Sequence, residues 1–199
     1  MKGKRIDSGN FTFTDTSIEG VKIVDVRSYG DARGSFMETY KVSDFRAGGI
    51  EVDFVQDNQS SSSLGVLRGL HFQINHPQSK LVRVICGTVF DVGVDLRPGS
   101  PTFGKWEGVV LSAENRRQFF IPRGFAHGFL ALSDNVVFAY KCDDVYHPND
   151  EGGLMWDDPE IGIAWPALPG DDILDRDRLV ISDKDKKHMS FKEQFGGVE

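Results

Sequence analysis

Short apolar runs separated by turn residues recur along the chain, and long stretches of helical periodicity are scarce. The runs are rich in β-branched and aromatic residues, as in VKIVDVR over 21–27 and NVVFAYKC over 135–142. Glycine is abundant, with 22 residues, and supplies many of the intervening turns. This pattern is typical of an all-β sandwich or barrel. We therefore predict an all-β fold with only short helices.

The segment TVFDVGVDL, over 88–96, alternates in the way expected of a strand with two different faces. We expect the face with Phe90 and Val92 to be the core. The opposite face carries Asp91 and Asp95, so it either meets solvent or forms a polar pocket wall.

The N-terminal half is expected to contain a hairpin followed by a helix. A turn over 29–34 joins a strand over 21–27 to a second strand over 35–40. Ser43 is a residue type that caps helices, so we predict a short helix over 44–47, ended by two glycines.

The length of 199 residues suits one domain. We predict an N-terminal extension over 1–20, a β-barrel core over 21–166, and a charged C-terminal tail over 167–199 that packs on the barrel. The two cysteines, Cys86 and Cys142, lie within apolar runs. They are expected to be reduced core thiols, because two cysteines are too few for a disulfide framework.

The net charge is −7, with 30 acidic and 23 basic residues, which argues against broad binding to nucleic acid. A small anionic ligand is still possible, because a few cations focused in a cleft can hold a diphosphate. No apolar run approaches the length of a membrane span, and the N-terminus lacks the apolar stretch of a signal peptide. We expect a soluble cytoplasmic protein without membrane association.

Two segments, over 65–87 and 121–129, are expected to form the halves of one pocket. The first contains Arg68, His71 and Lys80 on neighbouring predicted strands. Strict alternation would place Arg68 and His71 on opposite faces of one strand. Because a glycine lies between them at position 69, we predict a bulge or kink that turns both towards the cavity.

The spacing in these segments resembles the two motifs of the cupin superfamily, whose members are antiparallel jelly-roll barrels. The matching residues are Gly65, His71, Lys80 and Gly87 in the first motif and Pro122, Gly124 and His127 in the second. In metal-binding cupins the first motif supplies two histidines and a glutamate. Here Gln73 takes the place of the second histidine and Lys80 that of the glutamate. An ammonium group repels a divalent cation, so we expect no metal at these positions.

A metal-free pocket with these groups suits proton abstraction next to a ketone. A base removes the α proton, a cation stabilises the enolate oxygen, and an acid on the opposite face returns a proton. We expect His71 to be the base, Lys80 the enolate stabiliser and Tyr140 the acid.

At the level of whole segments, the chain resembles the dTDP-4-dehydrorhamnose 3,5-epimerases. The resemblance is carried in order, over roughly residues 20–190, by GDARGSF, FVQDN, GVLRGLHFQ, KLVRVICGTVFDVGVDLR, SPTFGKW, LSAEN, IPRGFAHGF and WDDPEIGIAWP. It implies a homodimeric enzyme without cofactor that epimerises a dTDP-4-keto-6-deoxyhexose at C3 and C5.

The resemblance also assigns residues. His71 and Tyr140 match the family's base and acid, and Asp185 matches the carboxylate paired with the base. The positions that match ligand contacts are Arg33, Glu38, Gln56, Asn58, Arg68, Lys80, His127, Glu151 and Lys184, with Phe36 and Tyr146 as candidates for stacking on thymine.

Some positions depart from the family pattern. Gln59 stands where a histidine is usual, and Val145 where a second tyrosine often precedes Tyr146. These positions lie at the expected rim of the pocket, so they concern the substrate and the stereochemical outcome. An epimerase acting at C3 or C5 alone therefore stays open, as do a metal-dependent cupin enzyme and a non-catalytic module that binds sugar nucleotides.

Overall fold

A computed structural model of the chain describes residues 3–196. Residues 1, 2 and 197–199, at the ends of the predicted extension and tail, lie outside the described residues. The strands are β1 (Arg5–Ser8), β2 (Phe11–Asp15), β3 (Lys22–Val26), β4 (Ser28–Asp31), β5 (Gly34–Met37), β6 (Gln56–Ser62), β7 (Val66–Gln73), β8 (Lys80–Cys86), β9 (Thr88–Asp95), β10 (Trp106–Ser112), β11 (Gln118–Ile121), β12 (Phe125–Ala131), β13 (Val136–Cys142), β14 (Glu151–Gly153) and β15 (Val180–Ile181). The helices are α1 (Val42–Ala47) and α2 (Phe191–Phe195), with 3-10 turns at Arg176–Arg178 and Asp185–Lys187.

The strands form two large sheets and a separate hairpin. The larger sheet has the order β1-β2-β3-β11-β8-β13-β6, and the smaller sheet has the order β10-β9-β12-β7-β14. All of these pairs are antiparallel, whereas β15 adds to β7 in parallel. Within residues 3–196, strands β4 and β5 pair only with each other. The predicted all-β class is confirmed.

The main core lies between the two sheets. Val82 on β8 and Phe138 on β13 pack there with Val89 on β9 and Phe129 on β12. Phe129 and Phe138 stack with ring centroids 4.3 Å apart. Apolar side chains from both sheets therefore pack together between the sheets. The architecture is the cupin-type antiparallel jelly roll.

Strand β9 is buried on both faces, which corrects the prediction of a single core face. Val92 and Val94 point away from the barrel interior and pack with Ile161, in a cluster completed by Trp165 and other C-terminal residues. The opposite face, with Asp91, looks into the barrel, and that carboxylate has no solvent exposure. Residues that are distant in the sequence cover the outer face of β9, so both faces of the strand are buried.

The N-terminal elements differ in detail from the predicted ones. The predicted strand over 21–27 is present as β3, but the following turn is itself part of the hairpin of β4 and β5. Helix α1 begins one residue before Ser43, at Val42, and its N-cap is Lys41 with no side-chain cap. Phe45 of this helix packs against the outer face of the larger sheet beside Phe11 and Phe13 of β2.

The C-terminal segment folds back onto the barrel. Val180 and Ile181 pair with Val66 and Leu67 of β7. Helix α2 begins with a capping box between Ser190 and Glu193.

Cys142 is buried as expected, whereas Cys86 is exposed at the end of β8, so it is not a core thiol.

No helix within residues 3–196 is long and apolar enough to cross a membrane.

Candidate active site

The strand that carries His71 is interrupted where the sequence predicted it. The pairing of β7 with β12 shifts register between His127, opposite His71, and Phe129, opposite Arg68. Gly69 has φ +122°, and a Cβ atom at this position would lie 2.6 Å from the Cα of Gly128. The predicted bulge is thus confirmed. It lets Arg68 and His71 border the same cavity.

The barrel opens into two adjoining cavities of about 340 and 200 Å³. Both are bordered by His71, Lys80 and Tyr140. His71 comes from the smaller sheet, whereas the other two come from neighbouring strands of the larger sheet. The larger cavity is also bordered by Gln56, Asn58, Tyr146, Glu151 and Lys184, and the smaller by Arg68 and His127. Ten residues named from the sequence therefore converge here.

His71 is paired with a buried carboxylate. Its Nε2 lies 2.9 Å from Oδ1 of Asp185, while Oδ2 of Asp185 accepts a hydrogen bond from the backbone N–H of Gly69 at 3.1 Å. Asp185 is placed by the tail, which β15 fastens to β7. The aspartate thus fixes one ring nitrogen of the histidine. The other nitrogen is left for proton transfer.

The pKa of Asp185 shows what holds this pair. Burial raises the pKa, but hydrogen bonds from His71, Gly69 and Ser182 and the charge of His71 outweigh burial and lower it to about 2. The carboxylate is therefore ionised throughout the neutral range and stabilises a positive charge on the neighbouring imidazole.

We expect Asp185→Asn to lower the free energy of unfolding at pH 7 by about 2 kcal/mol. The ionised carboxylate contributes fully above its unfolded pKa of 3.8, and its contribution is lost as the pH falls through about 2. Urea unfolding of both proteins at pH 7 and pH 3 measures the difference, which should fall to roughly half at pH 3. An equal difference at the two pH values would show that the carboxylate charge is not the cause.

Lys80 provides a cation at the start of β8. It makes no ion pair with any carboxylate among residues 3–196. Burial lowers its pKa, while the neighbouring Cys142, Asp91 and Glu151 oppose the shift. A partly desolvated ammonium without a fixed partner interacts strongly with negative charge that appears beside it.

Tyr140 is the half-buried phenol of the same wall. Burial raises its pKa above 10.0, and the nearby Cys142 acts in the same direction. The phenol therefore keeps its proton at neutral pH. Because β13 belongs to the larger sheet and β7 to the smaller one, Tyr140 and His71 border the cavity from different sheets.

His127 lies deeper and has its own carboxylate. Its Nε2 is 3.0 Å from Oδ2 of the fully buried Asp91. Burial lowers the pKa of His127 and raises that of Asp91, so both shifts favour a neutral, hydrogen-bonded pair. Asp91 was expected to meet either solvent or a pocket, and the structure places it in the barrel, where it orients this histidine.

The outer wall of the larger cavity is a hydrogen-bonded group. The Tyr146 hydroxyl donates to Oε2 of Glu151 at 2.7 Å, and Lys184 pairs with the same carboxylate oxygen. The Tyr146 backbone N–H donates to Oε1 of Gln56 at 2.9 Å. These contacts join the tail, β14 and β6 around the mouth of the cavity.

Three residues assigned to ligand contacts do not reach this cavity. Arg33 and Phe36 lie on the hairpin of β4 and β5, with 90% of the Arg33 side chain and 71% of Phe36 exposed. Arg33 pairs with Asp31 of the same hairpin. Glu38 follows the hairpin and accepts a hydrogen bond from Asn10. Within one chain, these residues border neither of the two cavities.

The sequence analysis missed His188. The 3-10 turn at Asp185–Lys187 brings its ring beside Asp185, with Nε2 at 3.4 Å from Oδ1, and 5.4 Å from the ring of His71. The spacing of three residues from Asp185 was the available clue, because such residues share one side of a helical turn. Gln73 and Gln78 also border the cavity without having been assigned a role.

The jelly roll and its acid–base cavity place the chain among the cupin-type isomerases. The family model described as dTDP-4-dehydrorhamnose 3,5-epimerase matches residues 15–193. The chain therefore belongs to the dTDP-4-dehydrorhamnose 3,5-epimerase family, and the resemblance found in the sequence is confirmed.

Individual relatives agree with the family. The chain is 55% identical to a dTDP-4-dehydrorhamnose 3,5-epimerase from Methanothermobacter thermautotrophicus over 92% of this chain and 96% of the relative. It is also similar to the crystal structure of a dTDP-6-deoxy-D-glucose-3,5-epimerase from Legionella pneumophila in complex with dTDP-4-keto-L-rhamnose, with 47% identity, a TM-score of 0.83 and coverage of 90% and 92% of the two chains. A 3'-monoepimerase from Streptomyces bikiniensis in complex with dTDP-quinovose has 34% identity, a TM-score of 0.80 and coverage of 92% and 90%.

Proposed function

We propose that this protein epimerises a dTDP-4-keto-6-deoxyhexose at C3 and C5 without a cofactor. The observation that carries the proposal is the cavity in which a histidine on one sheet, paired with an aspartate of the tail, is brought together with an ammonium and a protonated phenol from the other sheet. The Legionella relative, which was solved with a dTDP-4-keto sugar, supports the substrate class.

The proposed reaction is a proton transfer through an enolate. His71 takes the proton from the carbon beside the C4 ketone. The electron pair of that C–H bond forms a C=C bond to C4, and the π pair of the C=O bond moves onto the oxygen, which becomes the enolate oxygen. Lys80 donates a hydrogen bond to this oxygen. The C4 ketone then re-forms, and the electron pair of the C=C bond takes the proton of Tyr140 from the opposite face, which inverts the configuration and leaves Tyr140 as a phenolate.

The other cavity residues suit the remainder of the substrate. Arg68 borders the smaller cavity and is a forked donor that fits a diphosphate. Tyr146, which is half exposed at the mouth, offers a ring for the base. His127 with Asp91 provides a hydrogen-bonding group deeper in the cavity.

Proton NMR of dTDP-4-keto-6-deoxyglucose with the protein in deuterium oxide tests the proposal. Loss of the signals at both C3 and C5 is expected. Loss at one position would mean a single-site epimerase, an alternative that the similar 3'-monoepimerase favours. No exchange at either position would overturn the proposal and favour a binding module.

We also infer a homodimer in which the hairpin of β4 and β5 reaches the cavity of the second copy. The support is that Arg33, which matches a family ligand contact, and Phe36, a candidate for stacking on thymine, are exposed and lie away from the cavity of their own chain. The cytoplasmic location stays a prediction.

Mixing two defective chains tests this arrangement. One chain carries His71→Ala, and the other carries Arg33→Ala together with Phe36→Ala. If the hairpin serves the second copy, a mixed dimer contains one intact cavity, so co-expression in equal amounts should restore about a quarter of the wild-type exchange rate. Each defective chain alone is the control. Full activity of the hairpin variant alone would exclude a role for the hairpin.

A further inference from the structure

Two histidine rings converge on one oxygen of Asp185. Oδ2 of Asp185 accepts from the backbone of Gly69, so Oδ1 is the atom that faces the rings. The Nε2 atoms of His71 and His188 lie 2.9 and 3.4 Å from this oxygen. One ligand atom from each of these side chains lies within 4.8 Å of the other two.

The Nε2 atom of His188 is buried and has no hydrogen-bond partner among residues 3–196. The side chain is only 10% exposed, and at 3.4 Å from Asp185 the nitrogen is not oriented for a hydrogen bond. Leaving such a group unsatisfied costs about 1–3 kcal/mol. A ligand bound at this nitrogen would remove that cost.

The fold holds the His188 ring in this place. A Cβ atom on Gly153 would lie 2.2 Å from the ring, so the absence of a side chain there provides its space. Met189, the next residue, forms an isolated β-bridge with Leu154, the residue that follows β14. The position of the ring is thus set by packing and pairing on both sides.

Two imidazole nitrogens and one carboxylate oxygen form a donor set that Zn²⁺ accepts. In a tetrahedral site with bonds of about 2.0–2.1 Å, the donor atoms are roughly 3.3 Å apart. The spacings of 2.9 and 3.4 Å to Asp185 Oδ1 are close to this value. These side chains supply three of the four donors of a tetrahedral site, and a water molecule would be the fourth. The adjacent ammonium of Lys184 is already paired with Glu151.

We propose that His71, Asp185 and His188 form a zinc-binding site that blocks the proposed epimerase when it is occupied. The ion would bind both Nε2 atoms and Oδ1 of Asp185. It would thereby replace the hydrogen bond between His71 and Asp185, and the coordinated ring of His71 could no longer act as the base. The inhibitory effect rests on the proposed function, whereas binding of the ion does not. The site shares only His71 with the cupin motif positions, where Lys80 replaces a ligand.

Titration with Co²⁺ tests binding directly. The protein is first dialysed against a chelator so that it is free of metal. We expect the visible absorption bands of a four-coordinate site, and their loss when Zn²⁺ is added. His188→Ala should weaken binding at least about tenfold, since it removes one of three protein ligands. His188→Gln, which keeps the size and polarity of the side chain, serves if the alanine variant does not fold.

His147→Ala is the matched control, because His147 stacks on His76 beside two aspartates and so belongs to a separate cluster of two histidines and carboxylates. Its Co²⁺ spectrum should equal that of the wild type. Absence of the bands in the wild type, their persistence in both His188 variants, or their loss in the control would overturn the proposed site.

Proton exchange with the sugar nucleotide separates the two proposals. Zn²⁺ should inhibit exchange by the wild type, a chelator should restore it, and the His188 variants should need at least about tenfold more Zn²⁺ for the same fractional inhibition. Co²⁺ binding by a protein that shows no exchange even without metal would leave the site standing and refute the proposed function. Normal exchange that Zn²⁺ does not inhibit would refute the inhibitory site.

Discussion

His71→Ala is expected to lower the rate of C3 and C5 proton exchange by at least about 10³-fold, within the range for loss of a positioned general base. The variant removes the group that takes the proton and leaves Lys80 and Tyr140 on the facing sheet unchanged. Exchange of the substrate protons in deuterium oxide, followed by NMR at saturating substrate, measures the loss. Binding of dTDP, measured by calorimetry, should stay within a few-fold of wild type.

His147→Ala is the matched control for this experiment. This histidine lies on the loop over 143–150, stacks on His76, and does not border the two cavities. It should exchange both protons at the wild-type rate. Exchange by His71→Ala within tenfold of wild type would show that another group is the base. A thermal melt of the variant checks that loss of the partner of the buried Asp185 has not unfolded the chain.

Local patterns in the sequence predicted the strands that build the cavity. Apolar runs rich in β-branched and aromatic residues identify β8 and β13, and the motif spacing brings Lys80 and His71 to the same cavity. Even the irregularity at Gly69 was predictable. Two cavity residues three positions apart cannot both point inwards on a regular pleat.

Features that depend on distant segments were not predictable in the same way. The apolar face of β9 looked like the core, but it is covered by residues such as Ile161 and Trp165 from beyond the barrel strands. The carboxylate face of that strand was therefore the inner one. Likewise, nothing near His188 in the charged tail shows that Gly153 leaves space for its ring.

The hairpin shows a third limit. Its residues match family ligand contacts, yet one chain holds Arg33 and Phe36 away from its own cavity. A motif match records that a residue contacts a ligand and does not record which copy of the chain supplies it. The sequence therefore predicted the members of the site more completely than their arrangement.

The two sheets divide the proposed chemistry between them. The smaller sheet and the tail hold the base and its aspartate, and the larger sheet holds Lys80 and Tyr140. When His71 removes the proton from the substrate carbon, the negative charge would therefore develop on the enolate oxygen, next to the ammonium of Lys80. Only interactions that strengthen as that charge develops lower the barrier, so Lys80 should act on the chemical step more than on binding.

Lys80→Met is accordingly expected to lower kcat for exchange at both carbons by about 10²–10³-fold, with a much smaller change in KM. Methionine keeps a long, flexible side chain and removes the charge, and Lys80 has no ion pair within residues 3–196 whose loss would confuse the result. Lys141→Met is the matched control, since that lysine pairs with Asp57 and borders neither cavity with His71. It should leave kcat unchanged. If Lys80→Met instead raised KM and kept kcat, the ammonium would bind the ground state and the transition state equally well. Another group would then have to stabilise the enolate oxygen.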